Sequence, residues 1–313
     1  TSATYMSEAA TANRRGFLSS FQYVTLVGGH VLAQFTLLVA LHFLDTEALS
    51  DWGWRIGFFI GGIAALVVLW IRRSMDESLS ESHLEAIREG KDQGAGSLKT
   101  LFTVHWRPLL LVFLITAGGT VAFYTYSVNA PAIVKSTFGS DRALTATWVN
   151  LAGLIFLMLL QPVGGLISDR VGRKPLLIFF GVSGVLYTYV LLTVLPNTTS
   201  ALMAFLVLAV GYIIITGYTS VNAIVKAEVF PAEIRALGVG LGYALANSAF
   251  GGTAPLLYQA SKPDHITLFI VYVTVVIGVS LLVYIFGLKN KGETVLDREQ
   301  GSAQVKAMGT GEQ

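Results

Sequence analysis

The sequence predicts an all-α polytopic membrane protein, on two observations. Of 313 residues, 53% are hydrophobic and 13% charged, about half the charge of a soluble domain. Mean hydropathy is +0.64. The apolar residues also gather in long runs, and a helix needs roughly 20 of them to cross about 30 Å of hydrocarbon. Eight stretches qualify: 17–44, 54–71, 108–130, 147–166, 175–195, 201–225, 236–258 and 267–288. In hydrocarbon, helices satisfy every backbone donor and acceptor within the segment.

Orientation follows from the short loops. Arg14 and Arg15 precede the first run, and Arg72 and Arg73 follow the second. Arg170, Arg173 and Lys174 lie between the fourth and fifth. Lys226 and Arg235 stand between the sixth and seventh, and Lys289 and Lys291 after the eighth. The alternate loops are poor in bases. The positive-inside rule therefore places the ends of even-numbered runs, and the C-terminal tail, in the cytoplasm. The chain divides into 1–71, a polar linker 72–107, a six-span bundle 108–288 and a tail 289–313. Within the linker, Leu79–Glu89 has helix formers, serine caps and a stop at Gly90.

Several chemistries are excluded. There is no cysteine, so disulfides, thiolate nucleophiles and zinc–sulfur sites are absent. Five histidines are scattered without ligand spacing. There is no basic run for nucleic acid, no nucleophile–base pair and no metal set, so an enzyme is not expected. A membrane scaffold or sensor remains as a further alternative, without an output domain.

A repeat organises the spans. Glu8 and Arg15 frame the approach to the first run, and Glu228 and Arg235 the approach to the seventh. Each pair has the spacing E-x6-R. Each is followed by a small-residue-rich helix with a glycine pair, Gly28-Gly29 and Gly251-Gly252. That pattern suits parallel halves related by an axis along the membrane normal. The first run is then helix 5 of twelve and the seventh helix 11, with helices 1 to 3 and most of helix 4 expected upstream of Thr1. A half-walled cavity cannot alternate, so the 313 residues alone are not expected to transport.

Between the fourth and fifth runs stands Gly164-Gly165-Leu166-Ile167-Ser168-Asp169-Arg170-Val171-Gly172-Arg173-Lys174-Pro175. Its pattern G-x-x-x-D-[RK]-x-G-R-[RK] resembles the cytoplasmic loop motif of the major facilitator superfamily. Thr1–Glu8 resembles a phrase of bacterial 2-oxoglutarate permeases. Arg15–Gln22, Trp52–Arg55, Arg72–Ser78, Lys226–Pro231 and Arg235–Gly238 resemble the metabolite:proton symporter branch. The resemblance covers nearly the whole chain. It implies a monomeric secondary transporter in a bacterial inner membrane, with no cofactor beyond the proton as coupling ion. Its partners would be the bilayer, protons and a small carboxylate. The substrate it implies is an anionic carboxylate such as 2-oxoglutarate or a related dicarboxylate; shikimate, citrate and proline or betaine are alternatives within the branch.

The resemblance also implies a latch. Asp169 would accept from the backbone N–H groups at the start of helix 5, near Gly16, with Gly165 allowing the helices to approach. Arg170 or Arg173 would pair with Glu228. Glu8, Arg15 and Arg235 would belong to the same system or its first copy. The alternative is a positive-inside anchor alone.

Candidate cavity residues come from the spans. Arg55 is either an interfacial anchor or a fork for carboxylate. His30 and Gln34, four apart, share a face with Tyr23; His30 serves either proton coupling or as a neutral donor. Tyr124 and its neighbours form either an outer aromatic belt or cavity wall. Asn150 and Gln161 share a face of the fourth run. Tyr212, Thr216, Thr219, Asn222 and Lys226 form a polar stripe, either cavity lining or interhelical glue, with Lys226 either snorkelling or paired with Glu228 or Glu233. Asn247 falls near mid-span.

Overall fold

The computed structural model describes residues 14–74, 98–262 and 264–288. Among the described residues there are helices and turns and no strand. Glu8, the expected linker helix at 79–89 and the tail lie outside them. The long elements are α1 (Arg15–Phe43), α2 (Trp54–Ser74), α3 (Trp106–Tyr124), α4 (Ala130–Phe138), α5 (Ala143–Val171) and α6 (Arg173–Val194). They continue with α7 (Ala201–Thr219), α8 (Asn222–Ala227), α9 (Ala232–Ala246), α10 (Ala254–Ala260) and α11 (Ile266–Gly287).

Seven helical segments are long and apolar enough to cross a membrane. They correspond to seven of the eight expected runs. The remaining run, 236–258, is not one continuous helix. A wide π-helical turn at Asn247–Gly251 continues α9, and a non-helical turn at Gly252–Thr253 then separates it from α10, which has Pro255 in its first turn. A second wide turn, Thr125–Asn129, joins α3 to α4, and a third, Leu49–Gly53, leads into α2. Such turns leave backbone groups irregularly paired and are frequent at functional positions.

The connections have local causes. Asp45 caps the short helix Thr46–Ala48 by accepting from the Ala48 backbone N–H at 2.7 Å. Pro131 stands in the first turn of α4, where its missing donor costs nothing. Gly172, at φ 94°, turns the chain between α5 and α6, a conformation that side chains disfavour.

The helices α3, α5, α6, α7 and α11 pack around one buried core that includes Ile115, Leu157, Phe180, Ile215 and Ile277, and α9 packs on α3 around a second, smaller cluster with Leu109, Val112, Ile234 and Val239. Polar bonds fasten the larger core internally. The Gly118 backbone N–H donates to Ser280 Oγ at 2.8 Å, which donates to the Leu114 carbonyl at 2.6 Å. Tyr284 Oη donates to the Ile115 carbonyl at 2.8 Å. In hydrocarbon, where apolar burial is no driving force, such bonds and close packing hold spans together.

α1 lies along α5 and is the main contact from outside this set. α2 touches it little, and Phe58, Phe59, Val68 and Trp70 all face outward. An apolar surface of that extent is stable against lipid tails or further apolar helices, not against water. The groove between α1 and α2, about 580 Å³, is likewise almost wholly apolar.

One fastening was not anticipated. Lys174 Nζ donates to the Ile285 carbonyl at 2.7 Å and the Leu288 carbonyl at 2.8 Å. A cation thus caps the C-terminal end of α11, where the helix dipole is negative. Lys174→Met is expected to lower stability by about 1.5 kcal/mol, read as a lower unfolding temperature in detergent.

Candidate functional site

Two features stand out: a charged cluster at one end of the bundle and a chain of cavities leading to the other. The cluster is built by the α5–α6 loop. Asp169 Oδ1 accepts from the Gly16 backbone N–H at 2.7 Å, and Oδ2 from the Phe17 N–H at 2.9 Å. These are first-turn donors of α1, without partners inside their own helix. A carboxylate there also meets the positive end of the helix dipole.

The approach is possible because two glycines face each other. A Cβ on Gly165 would lie 2.6 Å from the Gly16 carbonyl oxygen, and one on Gly16 would lie 2.6 Å from Asp169 Oδ1. Arg173 completes the cluster. Its Nε lies 3.4 Å from Glu228 Oε1 and its Nη2 3.9 Å from Asp169 Oδ1. The Arg173–Glu228 approach is a charge contact rather than an aligned hydrogen bond. Of the two expected arginines, Arg173 makes the pair. Arg170 points outward and is exposed. Arg15 is buried at the start of α1. Arg235 is also buried, and its Nε donates to the Ala227 and Phe230 carbonyls at 3.0 and 3.1 Å.

The cavities begin where α1 meets α3 and α9. The first, about 240 Å³, is lined by Tyr23, His30, Thr120, Tyr124, Tyr243 and Asn247, with Phe123 in its wall. Phe123 stands between Tyr23 and His30, at ring separations of 5.6 and 5.9 Å. The second, about 370 Å³, shares His30 and Val128 with the first and adds Gln34, Ser127, Lys135 and Asn150. The third, about 820 Å³, shares Leu37, Ala132 and Lys135 with the second and reaches Ser136 and Gly139. The path therefore runs away from the Asp169 end, with His30 at its first junction.

The lining carries spare hydrogen-bonding capacity. Gln34 Oε1 and Asn150 Oδ1 are buried without partners. Asn150 uses only its Nδ2, donating to the Pro131 carbonyl at 3.1 Å. A ligand with donors, or a water chain, would satisfy these acceptors. Among the described residues no cluster suits a metal ion.

Of the expected cavity residues, His30, Gln34, Tyr124, Asn150 and Asn247 do meet in these cavities. Gln161, Thr219, Asn222 and Arg55 do not. Gln161 is sealed between α5 and α7, donating to the Leu157 carbonyl at 3.1 Å and approaching Thr216 Oγ1 at 3.5 Å. Thr219 Oγ1 turns back to the Ile215 carbonyl at 3.2 Å. Asn222 Nδ2 donates to Tyr23 Oη at 3.3 Å, fastening α8 to α1. Arg55 is exposed, donates to the Asp51 carbonyl at 3.1 Å and stacks on Trp54 at 4.6 Å. Tyr126 is no belt residue: it is buried, with its hydroxyl 2.9 Å from Thr188 Oγ1.

Tyr243, Thr120 and Lys135 were not anticipated. Tyr243 stands four residues before Asn247, and Thr120 four before Tyr124. That spacing put each on the face of a residue already suspected.

The charged cluster, the wide turns and the cavities thus lie in a helical chain with seven segments long and apolar enough to cross a membrane. The Major Facilitator Superfamily model matches residues 1–255. This chain belongs to that superfamily, a family of transporters rather than enzymes. It is similar to the alpha-ketoglutarate permease of Escherichia coli (strain K12), at 41% identity over 294 residues covering 94% of this chain and 66% of the relative. It is similar also to the citrate-proton symporter of Klebsiella pneumoniae, 30% identical over 82% of this chain and 56% of the relative. The ectoine/proline transporter of Corynebacterium glutamicum is 30% identical over 89% of this chain and 58% of its own length. The chain thus spans 56 to 66% of the length of these three relatives.

Proposed function

We propose that the intact protein is a secondary transporter that carries an anionic carboxylate, with 2-oxoglutarate or a related dicarboxylate as the best-fitting substrate, together with protons. The observation that carries this reading is the run of cavities from Tyr243 to Lys135. It is lined by an imidazole, two amides with unused acceptors and a lysine, and it ends short of the closed Asp169 cluster. The names of the relatives support the substrate class.

In this reading the Asp169 end faces the cytoplasm of an inner-membrane protein, as its arginines and lysines favour. The spans before and after the linker act as two bundles that rock about the central cavity. Lys135 attracts the anion from the opposite side. Protons entering with it offset its charge, and His30 is the titratable group at the cavity junction. The latch around Asp169 breaks when the cytoplasmic side opens.

Proteoliposomes containing the intact protein test this directly. Uptake of labelled 2-oxoglutarate, accelerated by an inward proton gradient, is the expected result. No uptake of any di- or tricarboxylate would defeat the reading. Preferential uptake of a zwitterion such as proline would move the substrate to that of the Corynebacterium relative. Within the cavity, Gln34→Leu is expected to raise the KM for carboxylate at least tenfold with little loss of protein. Uptake kinetics at equal expression check this.

A further inference from the structure

Lys226 plays no part in the latch or in the cavity lining. It lies in α8, 2% exposed, with Nζ 4.2 Å from the centre of the Tyr243 ring. It does not snorkel towards the surface, and among the described residues no carboxylate is paired with it. The other lysine and arginines at this end are held differently. Lys174 and Arg235 each donate to two carbonyls, and Arg173 faces Glu228 and Asp169. A buried ammonium calls for an anion, and one aromatic face compensates its lost hydration only in part.

Its surroundings say where that anion arrives. Tyr243 is a wall of the first cavity, as is Tyr23. Tyr23 also holds Asn222, one turn before Lys226 in α8, by accepting from its Nδ2 at 3.3 Å. The ammonium is therefore one ring removed from the cavity, behind a pair of tyrosines that belong to different spans. We infer that Lys226 is a carboxylate receptor for the transported anion: the Tyr243 face holds the ammonium at rest, and parting of the Tyr23–Tyr243 pair lets it reach a substrate carboxylate. The inference rests on the transport reading and deepens it. It gives the first cavity a cation for the carboxylate that a monocarboxylate substrate lacks, and so a physical basis for choosing two carboxylates over one.

The test is Lys226→Met in the intact protein, reconstituted in nanodiscs. Methionine keeps the volume and removes the buried charge, so folding should not suffer. Binding of 2-oxoglutarate and of the monocarboxylate 2-oxovalerate is measured by calorimetry, beside 2-oxoglutarate uptake in proteoliposomes. The expected result is at least a tenfold loss of 2-oxoglutarate affinity, a much smaller loss for 2-oxovalerate, and an unfolding temperature that does not fall. Lys226→Arg should restore part of the preference. If wild-type protein binds and transports 2-oxoglutarate and the methionine variant keeps the same preference, Lys226 is not the receptor and the transport reading stands. If wild-type protein binds with Lys226 dependence but moves no substrate, the transport reading falls and the receptor stands. Absence of binding to wild-type protein overturns both.

Discussion

Replacing Asp169 by lysine is expected to reduce carboxylate uptake by the intact protein at least tenfold while leaving its amount in the membrane unchanged. Two backbone N–H groups of α1, those of Gly16 and Phe17, lose their carboxylate acceptors at 2.7 and 2.9 Å. Hydrogen bonds to a charged group contribute about 1.5–3 kcal/mol each, and the carboxylate is only 8% exposed, so solvent compensates little. The new ammonium also faces the positive end of α1 and the Arg173 guanidinium. The contacts of Glu228 with Arg173 at 3.4 Å then remain without their neighbour. Insertion depends on the long apolar runs and on Lys and Arg in the loops, which the change preserves. Asp169→Asn should fall between the two, since one amide oxygen accepts from one N–H while the amide NH2 faces the other. Full activity of the lysine variant would reduce this loop to a topology signal. Uptake normalised to immunoblotted membrane protein decides it.

Gly165→Val should be the most damaging substitution of a single small residue. Its Cβ would stand 2.6 Å from the Gly16 carbonyl oxygen and 2.9 Å from Phe17 Cα. Both obstacles are backbone, so no rotamer change relieves them, and α1 must move away from α5. Overpacking of that kind costs about 3 kcal/mol, and it also stretches both Asp169 bonds, which lie one turn further along α5. The expected outcome is a lower unfolding temperature together with lost uptake. The valine variant of Gly240, where a Cβ meets nothing within 4 Å, is the control and should behave as wild type.

Much of this was legible in the chain. The loop's acid and glycines, together with the E-x6-R repeat, pointed to the start of α1 as the partner of Asp169, and the carboxylate does sit on Gly16 and Phe17. Seven continuous spans were readable from run length alone. The eighth breaks at Gly252–Thr253, just before Pro255 in the first turn of α10, a glycine–proline signal that the apolar run length had masked. His30 and Gln34 reached the cavity as their spacing implied.

The stripe Tyr212–Lys226 misled for a definite reason. Spacing shows which side chains share a face but not where a hydroxyl finds its acceptor. Thr216 and Thr219 both turn back to carbonyls four residues earlier, at 2.6 and 3.2 Å, a bond available to any such residue in a helix. Their face then packs inward instead of lining a cavity. Arg55 misled in a similar way: a neighbouring carbonyl and an indole already satisfy it.

The wide turn before Gly252 packs against α3, and the wide turn after Tyr124 packs against α10. Each accommodates one residue more than an ordinary turn. In a helix one residue corresponds to about 100° of rotation and 1.5 Å of advance. If such a turn migrates one position along its span, the side chains it passes swing by that angle while the helix ends stay where they are. Tyr124 precedes one turn and Asn247 opens the other, and both line the first cavity, so two parts of its wall can be re-aimed. These two spans therefore contain a built-in means of changing what the cavity presents to its contents, at nearly constant hydrogen-bond number.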